Sequence, residues 1–191
     1  MPPTAIPPGL KMAQDVVTPA EEAALIALIE ESGLAYSTYD PGNLRSSTSY
    51  GWKYDYANDS FVPCKPIPEG FRAIADKAAI LAGLAYEDFA ECLLNRYEPG
   101  AVIQPHLDKA VWEHVVGVSL GVATTMVFRE PASGEQRPVE LPPRSIYVLA
   151  GDARYVWQHS LPPMEGTRHS ITFRTFSAEG VRRLEACSTE I

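Results

Sequence analysis

The sequence predicts a mainly β fold with helices at its N-terminal side, an α+β chain whose β part is a sandwich or barrel. Two observations carry this. From Cys92 to Phe176 the chain reads as many short apolar runs broken by Gly and Pro, the signature of short strands joined by turns. Before Cys92, two segments carry apolar residues at helical spacing instead. A length of 191 residues, 46% hydrophobic and 21% charged, suits one soluble globular domain with a sizeable core.

Residues 1–11 are proline-rich and are read as irregular. Thr18-Pro19-Ala20-Glu21 is a helix start: Thr18 caps, Pro19 suits the first helical position, and Glu21 falls where a capping box places its acid. Leu25, Ile26, Leu28 and Ile29 give the helix an apolar side, and Gly33 is its stop. Tyr36, Tyr39 and Pro41-Gly42-Asn43 change the texture. Gly51-Trp52-Lys53-Tyr54-Asp55-Tyr56 then alternates aromatic with polar, placing Trp52, Tyr54 and Tyr56 on one face of a strand. Two readings stand. A hairpin packs its aromatics on the core, the better reading for at least two of the three, or the rings form a stacking surface for a flat substrate.

Pro63, Pro66 and Pro68 lead into a second helix through Phe71, Ile74, Ala75, Ala78 and Leu81, ended by Gly83. The expected strands follow: Cys92–Tyr97, Val102–Leu107, Val115–Leu120, Thr124–Phe128, Val139–Leu141, Ser145–Leu149, Val156–Ser160 and Arg168–Phe176. The tail after Ser177 is polar, a short helix or a loose end. No internal repeat of fixed period is present.

The net charge is −8, but unevenly spread: residues 1–100 hold 7 Lys/Arg against 14 Asp/Glu, and residues 101–191 hold 9 against 10. An acidic chain lacks the basic footprint of broad nucleic-acid affinity, while leaving room for a small basic groove. Three cysteines with no Cys-x-x-Cys pair fit reduced thiols in a cytoplasm. The N-terminus lacks a basic region followed by an apolar run, so no signal peptide is expected, and no apolar run is long enough to span a bilayer.

The chemistry gathers at Pro105-His106-Leu107-Asp108. In an extended segment His106 and Asp108 leave the same face and offer an imidazole and a carboxylate to a divalent metal. His159, in Val156-Trp157-Gln158-His159, supplies a second imidazole. Two histidines and one carboxylate on one side of an ion form the non-heme Fe(II) oxygenase arrangement. Alone, a His-x-Asp is common at strand ends facing water.

The last strand has an unusual face: Arg168, Ser170, Thr172 and Arg174 point one way, and His169, Ile171 and Phe173 the other. Two arginines and two hydroxyls on one face suit a cavity holding an anion, since guanidinium forks match carboxylates. The competing reading is an edge strand with its polar face in water. The arginines are roughly 20 Å apart along an extended strand, so they serve two ends of a dicarboxylate, or one is a structural pair. Asn95 and Tyr97 add an amide and a phenol on one face of the strand that leads to Glu98-Pro99-Gly100. His114 and His169 are read as structural.

Asn95-Arg96-Tyr97-Glu98-Pro99-Gly100, His106-Leu107-Asp108-Lys109, Val118-Ser119-Leu120-Gly121, Gly151-Asp152-Ala153-Arg154 through His159, and Arg168 through Arg174 occur in this order. Over residues 92–176 the chain thereby resembles the AlkB family of Fe(II)/2-oxoglutarate dioxygenases. The resemblance implies a double-stranded β-helix, or jelly roll. Residues 1–91 would be helices and a substrate lid, 92–176 the core and 177–191 a tail. It implies catalytic iron ligands His106, Asp108 and His159. Arg168, Asn95 and Tyr97 would hold the distal carboxylate of 2-oxoglutarate, with Ser170 and Thr172 lining the pocket and Arg174 near the chelating carboxylate. It implies use of O2 and oxidative removal of N-methyl groups from alkylated DNA or RNA bases, by a monomer. A protein side chain or a modified tRNA base is the alternative substrate, and a non-catalytic jelly-roll binding module the alternative of another class. The chain departs from the family's bacterial DNA-repair enzyme at Ala110, where that enzyme has an acid that helps read the base, at Ser170, where it has Asn, and across residues 36–66.

Overall fold

The structure is a computed structural model and describes residues 6–36, 42 and 44–188. The first five residues of the proline-rich segment, Tyr39, Pro41 and Asn43 of the turn-rich stretch, and the last three residues of the tail lie outside the described residues.

Helix α1 (Pro19–Glu30) starts on the capping box that the sequence predicts. The Glu21 N–H donates to Thr18 Oγ1 at 3.2 Å, and the Thr18 N–H donates to the Glu21 carboxylate at 2.6 Å. Such a cap is worth about 1 kcal/mol because it satisfies donors the helix cannot. Helix α2 (Arg72–Ala82) ends at Gly83 in the left-handed region. Both helices bury their apolar sides: Leu25, Ile29, Ile74, Ala75 and Ala78 form one core with Leu94, Val116, Val118, Ile146, Ile171 and Phe173. Among the described residues no helix is long and apolar enough to cross a membrane.

Those last residues belong to a large antiparallel sheet. In spatial order its strands are β1 (Leu10–Ala13), β10 (Ser145–Leu149), β7 (Trp112–Gly121), β12 (Arg168–Phe176), β5 (Phe89–Tyr97), β3 (Arg45–Asp55) and β2 (Ala35–Tyr36), with β4 (Ser60–Pro63) paired to the far end of β3. A smaller antiparallel sheet runs β6 (Ile103–His106), β11 (Gln158–Leu161), β8 (Thr124–Arg129) and β9 (Gln136–Leu141). This is the double-stranded β-helix. A second core lies between the sheets, with Tyr97, Val115, Tyr147 and Leu149 meeting Met126, Phe128, Leu141 and Leu161. Alternation along β12 makes the layers visible: Ile171 and Phe173 enter the helix-side core, while Arg168, Ser170, Thr172 and Arg174 turn to the space between the sheets.

Three elements differ from the sequence reading. Leu10 and Lys11, the end of the segment read as irregular, form β1 with Met12 and Ala13 against β10. Helix α3 (Gly151–Tyr155) displaces the predicted strand Val156–Ser160, which becomes β11 two residues later. Strand β3 begins at Arg45, through a run of serines and threonine with no apolar face to announce it. Gly51 sits where β3 leaves β5 and takes β4 as partner. Its φ is +77°, and a Cβ there would lie 2.3 Å from the Ala90 carbonyl oxygen, so a side chain would meet strain and a clash together. Helix α4 (Ala178–Ser188) gives the tail regular structure: the Ser177 hydroxyl donates to the Ala110 carbonyl and accepts from the Gly180 N–H.

Candidate metal centre

Strands β6 and β11 pair so that His106 stands opposite His159, with ring centres 4.3 Å apart. His106 Nδ1 lies 2.9 Å from the Gln104 carbonyl, which can only accept. The proton therefore sits on Nδ1 and leaves Nε2 free as a ligand. Asp108 lies just past the end of β6, its carboxylate oxygen Oδ2 3.5 Å from His159 Nε2. The three candidate donor atoms all fall within 4.8 Å of one another.

This set fits a divalent cation. Asp108 Oδ2 is buried without a hydrogen-bond partner, an arrangement that costs free energy unless a cation occupies the gap. Burial alone would raise the Asp108 pKa, but Arg174, His159, Arg154 and His106 outweigh it and hold the carboxyl at about 2. Burial pushes His159 down to about 4 against the pull of Asp108. Near neutral pH the site thus offers an anion and a neutral imidazole, the protonation states that metal binding needs.

The ligands are braced from behind. Arg174 donates to Asp108 Oδ1 at 3.0 Å and to Glu91 Oε2 at 2.7 Å, and Glu91 also accepts from the Ser49 hydroxyl at 3.0 Å. Arg154, 1% exposed, donates to the carbonyls of Asp108 at 3.2 Å, of Trp112 at 2.8 Å and of Lys109. It pins the segment that carries Asp108. Neither Glu91 nor Arg154 is a candidate in the sequence reading. Period two from Asn95 does place Glu91 on the inward face of β5, and Arg154 lies inside a quoted motif, but both signals need the fold to acquire a role.

Glu91 offsets the charge of Arg174, so that Asp108 keeps its own for a cation. Glu91→Gln preserves the shape and removes this offset. We expect Mn(II) affinity, measured by calorimetry, to fall roughly tenfold, equal to about 1.4 kcal/mol. Unchanged affinity would contradict the charge argument.

Beyond Arg174 the inward face of β12 continues to Arg168. Its guanidinium is 1% exposed, donates to the Ser119 hydroxyl at 3.2 Å and lies 5.2 Å from the Tyr97 ring centre. No carboxylate pairs with it among the described residues, and its Nε has no partner. Beside it Asn95 donates to the Ser170 hydroxyl at 3.3 Å, leaving Asn95 Oδ1 unpartnered. Of the two arginines, then, Arg174 is the one in a protein ion pair, and Arg168 is a buried cation awaiting an anion.

The three aromatics separate. Tyr54 is 4% exposed, packs edge-on against Phe61 with ring centres 5.3 Å apart, and gives its O–H to Asp59. It belongs to a core cluster with Val111 and Trp112, so the structure corrects its placement on a stacking surface. Trp52 is half-buried against Phe176. Tyr56, 55% exposed, meets Tyr54 edge-on with ring centres 5.3 Å apart, and its phenol is raised by partial burial, with Arg174 opposing and Asp108 and Glu91 adding to the rise. His169 pairs with Glu30 at 2.6 Å on the helix side, and His114 contacts the Thr175 hydroxyl, so both stand apart from the donor set.

Comparison with known proteins agrees with this geometry. The profile of the 2OG-Fe(II) oxygenase superfamily matches residues 12–184. The tRNA (carboxymethyluridine(34)-5-O)-methyltransferase alkbh8 of Xenopus tropicalis is 32% identical over 163 residues, covering 83% of this chain. The chain spans only 26% of that relative's length. An uncharacterized protein of Acanthamoeba polyphaga mimivirus is 31% identical, with 91% of this chain and 88% of that protein covered. The alpha-ketoglutarate-dependent dioxygenase AlkB of Salmonella typhimurium is 29% identical over 83% of this chain and 71% of its own. The solved structure of OsALKBH1 superposes with a TM-score of 0.68 at 17% identity, covering 91% of this chain and 100% of that one, a likeness of fold.

Proposed function

This chain belongs to the 2OG-Fe(II) oxygenase superfamily and within it to the AlkB family, and from that premise we propose that it is a dioxygenase removing alkyl groups from nucleic-acid bases. Its family uses Fe(II), 2-oxoglutarate and O2. The observation that carries the reading is Arg168, a buried cation without a protein counter-ion on the same wall as the braced Asp108.

Iron, 2-oxoglutarate and O2 together supply oxidation of the N-alkyl carbon to an alcohol, with succinate and CO2 as co-products, and a hydroxymethyl group so formed leaves as formaldehyde. The chain's residues hold the parts in place. His106, Asp108 and His159 are the metal ligands. Arg174 fixes Asp108 through one oxygen and leaves the other for the ion. Arg168, with Tyr97 and Asn95, takes the carboxylate of 2-oxoglutarate that lies away from the metal, and Ser170 and Thr172 line the path between. The buried apolar side chains between the sheets would limit water around the reacting groups. At the mouth, Tyr56 and Trp52 meet the base.

A second reading keeps the chemistry and changes the substrate to a modified base in tRNA. The frog relative, a tRNA methyltransferase by name, favours it. The test incubates the iron-loaded protein with 2-oxoglutarate and either oligonucleotides carrying 1-methyladenine or 3-methylcytosine, as DNA and as RNA, or naturally modified tRNA, and reads succinate and formaldehyde together. Coupled release on DNA supports the first reading, and coupled release on tRNA alone supports the second. Succinate at the substrate-free background on every oligonucleotide and on tRNA rejects both.

A further inference from the structure

We infer that Tyr147 is a direct contact for the 2-oxoglutarate carboxylate held by Arg168, and that Gly117 lacks a side chain to make room for it. The inference rests on the dioxygenase reading above and adds a residue to its cosubstrate site.

Tyr147 is the central residue of β10, flanked by Ile146 and Val148, which point to the helices. Its own side chain therefore enters the space between the sheets, where it is 7% exposed. The ring does not stay over its own strand. Tyr147 pairs with Gly117 of β7, and a Cβ placed on Gly117 would lie 2.1 Å from the Tyr147 ring carbon Cζ and 2.3 Å from its hydroxyl oxygen. The phenol thus lies flat across β7, in space that every other residue type would fill. On the far side Gly117 faces Thr172 of β12. The hydroxyl is carried from β10 across one strand toward the wall that holds Arg168, Ser170 and Thr172.

The electrostatics agree. Burial raises the Tyr147 phenol to about 12; Arg168 is the largest charge drawing it back, with Arg174 behind it, while Tyr97 and Asp108 push it further up. At neutral pH the group is an O–H donor. Beside it, the Arg168 Nε is buried without a hydrogen-bond partner among the described residues. Donors therefore converge from β10 and β12 with one spare acceptor beside them, Asn95 Oδ1. A carboxylate supplies the missing acceptor oxygens. The Arg168 guanidinium reaches Ser119, two residues along β7 from Gly117 and on the same face, so the phenol lies on the Arg168 side of the wall, at the carboxylate away from the metal.

The bland alternative is a tyrosine that only fills the core. Tyr147→Phe separates the two, because it keeps the ring over Gly117 and removes only the O–H. Titration of the Mn(II)-loaded protein with 2-oxoglutarate is expected to show affinity reduced by about 10-fold or more in this variant, as for loss of a hydrogen bond to a charged group. Mn(II) affinity and melting temperature should stay near wild type. Pyruvate, a 2-oxoacid without the second carboxylate, provides the control: measured by competition, its affinity should be the same in wild type and variant. Equal 2-oxoglutarate affinity in the two proteins, or an equal loss for pyruvate, would overturn the inference alone. A wild-type protein that binds no 2-oxoglutarate would overturn the dioxygenase reading and this inference with it.

Discussion

Asp108→Ala is expected to abolish iron-dependent turnover, a loss well beyond 100-fold, and to remove measurable Mn(II) binding. Two neutral imidazoles remain in that variant, but the one anionic donor is gone, and a hard divalent cation without it keeps little hold. Even partners that only orient metal ligands are worth about 10- to 100-fold, so removal of a ligand exceeds that range. The fold should survive. Asp108 lies past the strand end, and Arg174 keeps its ion pair with Glu91 at 2.7 Å. The check is calorimetric metal titration beside a circular-dichroism melt. Turnover within tenfold of wild type in a folded Asp108→Ala protein would remove Asp108 from the ligand set.

Arg168→Ala is expected to raise the 2-oxoglutarate requirement by about 10- to 100-fold or more, from loss of charge-assisted hydrogen bonds worth about 1.5–3 kcal/mol. Metal affinity should not change, because Arg174, not Arg168, touches Asp108. The apoprotein makes a second, sharper expectation possible. A buried guanidinium without a counter-ion does not stabilise the empty protein, so Arg168→Ala should melt no lower than wild type without ligand and should lose most of the rise in melting temperature that 2-oxoglutarate gives wild type. Titration and ligand-dependent melting measure both. Unchanged affinity would assign the anion elsewhere on the wall.

Much of this architecture could be read before folding, and the reason is local. The capping box at Thr18 and Glu21 is complete within four residues, and the two faces of β12 follow from strand periodicity alone. His106, Asp108 and His159 were found as residue types with the right chemistry, and the β6–β11 register brings the two imidazoles together. What escaped the sequence depends on distant partners. β1 is four residues long in a proline-rich setting, and only its pairing with β10 makes it a strand. Helix α3 is barely one turn, below the length at which periodicity shows. Glu91 and Arg154 gain a role only when the fold brings them against Arg174 and the Asp108 segment. Tyr54 illustrates the limit of alternation, which gives a side chain's face and not its depth.

The most direct test of the central claim is a crystal structure of the protein grown with Mn(II) and 2-oxoglutarate. The arrangement described here predicts one metal ion bound by His106, Asp108 and His159, with one carboxylate of 2-oxoglutarate against Arg168. A metal ion elsewhere, or 2-oxoglutarate bound away from Arg168, would contradict it.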